Sequence, residues 1–160
     1  MDAAFNLARW MLREDSAAED AVQEASMRAF RFFDGMHGAS PKAWFLAVVR
    51  NACLDRLKDR RQRALEDHYD DEVHGGAGNP ADSPEAALER STEARWLYAC
   101  IGSLPVEYRE VVVLRELEEL SYKEISAIVE VPIGTVMSRL SRGRDLLQQR
   151  LLAERARRHS

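Results

Sequence analysis

Apolar residues return every three or four positions along most of this chain, and the breaks in that rhythm mark where helices start and stop. The period predicts a short helix over Ala3–Arg13. A second begins near Ser16, with Glu19 placed to complete a capping box, and runs to about Phe33. A glycine-bearing loop, Asp34 to Ser40, follows. Ser40-Pro41 then opens a third helix, hydroxyl cap before first-turn proline, which reaches about Arg61. Further on, Ser83-Pro84-Glu85 opens a helix to Ile101, and Leu104-Pro105 opens one to Leu117. Ser121 caps a short helix to Val129, and a long helix starts near Gly134 and passes Leu151. Alternating β-branched runs between hairpin turns are missing, so the fold class is all-α.

The rhythm fails in the middle, and charge explains why. Residues 1–63 and 94–160 each carry a net +2, whereas 64–93 carries −8, which together give the chain's −4. That middle stretch also holds Gly75, Gly76, Gly78, Pro80 and Pro84. A segment with few apolar residues and one sign of charge cannot offset the entropy of ordering. The expected layout is therefore two small helical modules, 1–63 and 85–160, joined by a flexible acidic linker over 64–84.

Composition narrows the function class. The longest uncharged apolar run, Ala43–Val49, is far too short to span a membrane, and no leader pattern opens the chain. Cys53 and Cys100 stand far apart without a CxxC or histidine partners, which argues against a disulfide framework or zinc site. A cytoplasmic protein with no metal, no cofactor and no membrane insertion is expected. Glu19-Asp20 invites an acid–base idea, but no nucleophile or metal-ligand spacing supports it, so an enzyme is not expected.

The last two helices carry the sharpest local signal. Ser121–Val129, a break at Glu130-Val131-Pro132, and a helix from Ile133 have the spacing of a helix-turn-helix. At 100° per residue, Val136, Leu140, Leu147 and Leu151 fall within roughly 60° and must face a core. Thr135, Ser138 and Arg142 cluster on the opposite side, where hydroxyls and a guanidinium can reach base edges in a major groove. Arg139 and Arg144 lie on the flanks, suited to phosphates. Glu130 occupies the turn position that usually favours glycine for positive φ.

The segments Leu104-Pro-Val-Glu-Tyr-Arg-Glu-Val-Val-Val-Leu-Arg-Glu-Leu and Val131-Pro-Ile-Gly-Thr-Val-Met-Ser-Arg-Leu-Ser-Arg-Gly-Arg closely resemble region 4 of bacterial sigma factors, above all the extracytoplasmic-function (ECF) group. Ala18-Glu-Asp-Ala-Val-Gln-Glu-Ala resembles region 2.2, and Trp44-Phe-Leu-Ala-Val-Val-Arg-Asn-Ala-Cys-Leu-Asp region 2.4. Against the family pattern the chain enters partway along a longer first helix, so either translation starts upstream or the first module is short.

The resemblance implies a non-enzymatic initiation subunit that binds core RNA polymerase, reads the −35 and −10 promoter elements and helps melt the duplex. Glu19, Asp20, Gln23, Glu24 and Met27 would dock on the polymerase clamp coiled coil, and the second module would meet the flap. Five of the chain's 12 aromatics, Phe30, Phe32, Phe33, Trp44 and Phe45, crowd where an opened strand needs π-faces. Helical spacing assigns Phe30, Trp44 and Phe45 to the core. Phe33, Met36, His37 and Lys42 are left for the −10 loop. Asn51 matches a family position that reads the strand, and Arg50, Arg56, Lys58, Arg60 and Arg61 would hold its phosphates. Arg115 and Lys123 match positions near the −35 backbone; Thr135, Ser138, Arg139, Arg142 and Arg144 would read or clamp it. Met137 and Ser141 replace residues that are often basic or larger, so the −35 sequence preferred by the family does not carry over to this chain. Promoter DNA and an anti-sigma factor are the other implied partners, and the active form would be a monomer.

Two alternatives stay open on the residues alone. One is a stand-alone dimeric helix-turn-helix regulator, and the other a decoy that binds polymerase or an anti-sigma factor. The acidic linker admits two roles besides spacing: mimicking nucleic acid along polymerase walls, or screening the modules' basic faces.

Overall fold

The computed structural model describes residues 2–32, 40–66 and 92–159. Seven α-helices account for nearly all of them: α1 Ala3–Leu12, α2 Asp15–Arg31, α3 Pro41–Glu66, α4 Thr92–Gly102, α5 Val106–Val112, α6 Tyr122–Val129 and α7 Ile133–Arg158. No strand occurs among the described residues. A π-helical turn, Val113–Leu117, extends α5.

Local chemistry explains most of the ends. Asp2 caps α1 by accepting from the Ala4 N–H at 3.0 Å, and Ser40 caps α3 by accepting from Ala43 at 3.0 Å. Ser121 and Glu124 form a full capping box at the start of α6. The capping box expected at Ser16 is absent. Helix α2 starts one residue earlier, and the Ser16 hydroxyl instead donates to the Glu14 carboxylate at 3.0 Å. Helix α3 runs five residues beyond its expected end at Arg61, so the first three residues of the expected linker are helical. The rest of that linker, the start predicted for α4 at Ser83, and the loop residues Phe33, Met36 and His37 lie outside the described residues.

Helices α1, α2 and α3 pack on one another, as do α4 through α7. The two groups are not separate bodies. Helix α3 lies against α6, α1 lies against α5, and one hydrophobic cluster runs from Leu7, Met11, Leu46 and Val49 into Val111, Leu114, Ile125 and Leu140. Each such buried aliphatic side chain contributes about 1.5–3 kcal/mol relative to exposure. The Trp10 ring stacks on Tyr98 of α4 with centroids 5.5 Å apart.

Arg109 fastens the same junction. Its guanidinium donates to the carbonyls of Gly102 and Leu104 at 3.0 and 3.1 Å, and to Met11 at 3.1 Å. Helix C-termini present unsatisfied carbonyls and partial negative charge, so one buried cation closes the ends of α1 and α4 together. Burial, with Arg13 nearby, lowers its pKa to about 10, which leaves it charged at neutral pH.

Of the three aromatics assigned to the core, Phe45 packs against it and Trp44 is half-buried, but Phe30 is 90% exposed. Helical spacing misplaced Phe30 because the inner stripe of α2 is made of alanines, Ala18, Ala21 and Ala25, on which α1 and α3 close tightly.

Candidate nucleic-acid and polymerase interface

The N-terminal half of α7 presents its outer face to solvent. Val136, Leu140 and Gly143 are buried, and Gly134, Met137, Ser138, Ser141, Arg142 and Asp145 are exposed. The face is rotated from the expected Thr135–Ser138–Arg142 set. Thr135 and Arg139 are half-buried on one flank, while Met137 and Ser141 join Ser138 and Arg142 outside. The sequence reading set Met137 and Ser141 aside because they depart from the family pattern; summing residue angles around the buried stripe would have found them.

The turn before α7 is tight. Glu130 adopts φ 57° and donates its N–H to the Ser126 carbonyl at 2.9 Å, and the Ser126 hydroxyl donates to Val131 at 2.5 Å. This left-handed residue fixes the angle between α6 and α7, as expected for the helix-turn-helix.

Several cations expected at DNA have hydrogen-bond or ion-pair partners within the protein. Arg115 donates to the Leu120 carbonyl at 2.8 Å and lies 4.5 Å over the Tyr122 ring, bracing the bend after the π turn. Arg144 pairs with Glu116 at 2.6 Å, and that carboxylate holds its guanidinium above its ordinary pKa. In α3, Arg60 donates to the Leu12 carbonyl at 2.9 Å and pairs with Glu14 at 3.3 Å. Arg56 pairs with Glu24 at 3.5 Å. Arg50 is held by Glu110 of α5 through two bonds, 2.7 and 3.1 Å. The five pairings share one cause: a long cation beside a helix end or carboxylate is drawn to its nearest partner. Lys42, Asn51, Lys58, Arg61 and Lys123 remain at the surface.

On α2, Glu19, Asp20 and Gln23 are exposed, and Met27 is 61% exposed. Glu24 is half-buried, 2.9 Å from Arg28 as well as near Arg56, so it belongs to the internal ion-pair network. Phe30 continues the outward stripe. The result is a helix face acidic at its start and apolar at its end.

Two family models match this chain in order. The model described as Sigma-70 region 2 covers residues 1–63, and that described as Sigma-70, region 4, covers 94–147. The ECF sigma factor SigW of Bacillus subtilis is 32% identical over 94% of this chain and 83% of its own length. The chain belongs to the ECF RNA polymerase sigma factors. The Escherichia coli sigma-E factor is 32% identical, covering 82% of this chain and 72% of that protein. SigE of Mycolicibacterium smegmatis is 35% identical over 94% of this chain, which spans 58% of that relative's length. Among solved structures, RpoE of Bartonella quintana, crystallised with the anti-sigma factor NepR, superposes with TM-score 0.71 at 29% identity, covering 93% of this chain and 89% of its own. CnrH, in complex with the cytosolic domain of CnrY, shares the fold with TM-score 0.65 at 21% identity, over 94% of this chain and 81% of its own. Membership makes the chain a non-enzymatic factor for promoter-specific transcription. No described helix of this sigma factor is long and apolar enough to cross a membrane.

Proposed function

We propose that this sigma factor binds core RNA polymerase through the outer face of α2, Glu19, Asp20, Gln23 and Met27, with Phe30 added. It then places α7 at the −35 element and the α2–α3 loop region at the −10 element. The exposed Met137–Ser138–Ser141–Arg142 face, on a helix-turn-helix whose opposite side buries Val136, Leu140 and Gly143, carries this reading. Ser138 and Arg142 would contact bases, and Lys123 the backbone. Asn51, Lys58 and Lys42 would follow the opened −10 strand. The protein would act in the cytoplasm as a monomer.

The packing of the second module against α3 supports a second statement, that this arrangement is a resting form. The NepR-bound RpoE superposes over both modules at once, which favours an anti-sigma factor as the partner of this form here too. In-vitro transcription with purified core polymerase over a promoter library tests the proposal. Discrete starts sharing −35 and −10 elements are expected. Absence of both transcripts and polymerase binding would overturn it, and binding of a palindrome without polymerase would favour the dimeric regulator.

A further inference from the structure

Glu110 and Arg109 are the two buried charged residues among those described, and the Glu110 side chain is 2% exposed. Its partner Arg50 reaches it across the junction between α3 and α5, itself only 13% exposed. A buried ion pair of this kind adds little to stability compared with an apolar pair of the same volume, because both charges must be desolvated. Breaking it by removing one partner is costly. The pair therefore specifies an arrangement more than it strengthens one.

Its surroundings indicate which arrangement. Lys42 lies about two turns before Arg50 on the same helix and stays exposed. Helix α3 thus meets α5 with one largely buried cation, answered by one buried carboxylate. Asn51, next in sequence to Arg50, stays exposed. A carboxylate set against a cationic helix offers the same charge and acceptor oxygens that a backbone phosphate would.

We propose that Glu110 acts as an internal phosphate surrogate for Arg50, so that the closed arrangement and engagement of the −10 strand are mutually exclusive. The inference rests on the reading of α3 as the −10 helix. Strand phosphates entering this face displace Glu110 and separate the modules. Among the described residues nothing covers the outer face of α7 in the closed form, so α7 can meet the −35 element before α3 meets the −10 strand.

The test measures binding of a fluorescent single-stranded DNA of mixed sequence to the full chain, beside its radius of gyration by small-angle X-ray scattering. Glu110→Gln should expand the chain and tighten strand binding about tenfold, within the range of coupling between linked sites. Arg50→Gln should expand it equally with no gain in binding, because the receiving cation is gone. The double exchange Arg50→Glu with Glu110→Arg should restore compactness and leave binding weak. If Glu110→Gln loses its helical circular dichroism, Glu110→Asp, which keeps the charge but shortens the reach, should move both readouts the same way by less. A compact Glu110→Gln with unchanged binding overturns the proposal, and so does an equal gain in Arg50→Gln. Transcription by the wild-type chain with core polymerase separates the two readings: its failure beside a gain in Glu110→Gln removes the proposed function and keeps the latch, and the reverse removes the latch alone.

Discussion

Helices α3 and α7 are each 26 residues long and each carries a set of arginines expected at promoter DNA. They use those charges in opposite directions. In α3, Arg50, Arg56 and Arg60 turn to Glu110, Glu24 and Glu14 of neighbouring segments, and what stays outside includes Lys42, Asn51, Lys58 and Arg61. In α7, Ser138 and Arg142 face solvent, while Arg144 turns to Glu116. The difference lies in what surrounds each helix. Helix α3 is packed by α1, α2 and α6, so carboxylates and helix ends approach it from several sides; among the described residues the outer face of α7 has no such neighbour. A basic helix therefore presents its cations to nucleic acid directly where no carboxylate stands closer, and elsewhere only by exchanging an internal partner for phosphate.

The inward side of α7 can be broken outright. A Cβ added at Gly143 would stand 2.9 Å from the Val112 Cγ2 and 3.4 Å from the Tyr108 Cβ. Val112 is itself fully buried and β-branched, so it has little freedom to yield. Gly143→Val is expected to lower stability by about 3 kcal/mol, as overpacking of a closed core does. Urea denaturation checks it, and a loss below about 0.5 kcal/mol would mean that α5 and α7 are not in this contact. Gly134, with open space where its Cβ would lie, should accept alanine without a comparable loss.

The outward and inward cations can be compared directly. Arg142→Ala should leave the unfolding midpoint in place and weaken promoter binding in the polymerase complex about tenfold or more, from about 1–3 kcal/mol per base contact. Arg60→Met should do the reverse, losing about 1–2 kcal/mol of stability as the Leu12 carbonyl and Glu14 lose their partner. Equal effects of both variants on binding and on stability would dissolve the distinction between the helices.

How much of this was legible beforehand follows the range of each interaction. The helices could be read because their signals are local: the caps at Ser40 and Ser121, the prolines at 41 and 105, and the 3.6-residue period. The buried stripe of α7 came from the same period. Local reasoning failed where a competing local bond won, as at Ser16, whose hydroxyl goes to Glu14. It also failed where small residues carried the packing, as on α2, where alanines take the core and release Phe30. The π turn at Val113–Leu117 leaves no mark in the pattern, since it arises from the Glu118 N–H reaching back to Val113 at 3.0 Å. The junction between modules was beyond reach for a different reason. Arg50 and Glu110 are 60 residues apart, and nothing in either segment names the other.

The smallest expected effect concerns the turn that aims α7. Glu130 holds φ 57° and ψ 44°, a left-handed conformation that places Cβ too close to the following carbonyl for most side chains. Glycine removes that clash but gives the unfolded chain more freedom to lose on folding. The two terms oppose each other, and the steric one is the larger at a position already in the left-handed region. Glu130→Gly should therefore raise stability by about 0.5–1 kcal/mol, a gain of the size seen when a backbone position and its residue are brought into agreement. Thermal unfolding would register a midpoint shift of a few degrees upward. The same variant should leave −35 discrimination unchanged, because the Ser126 hydroxyl bond to Val131 and the outer face of α7 do not depend on the Glu130 side chain. A fall in stability would mean that this side chain makes a contact offsetting its strain, and the angle between α6 and α7 would then rest on more than the backbone.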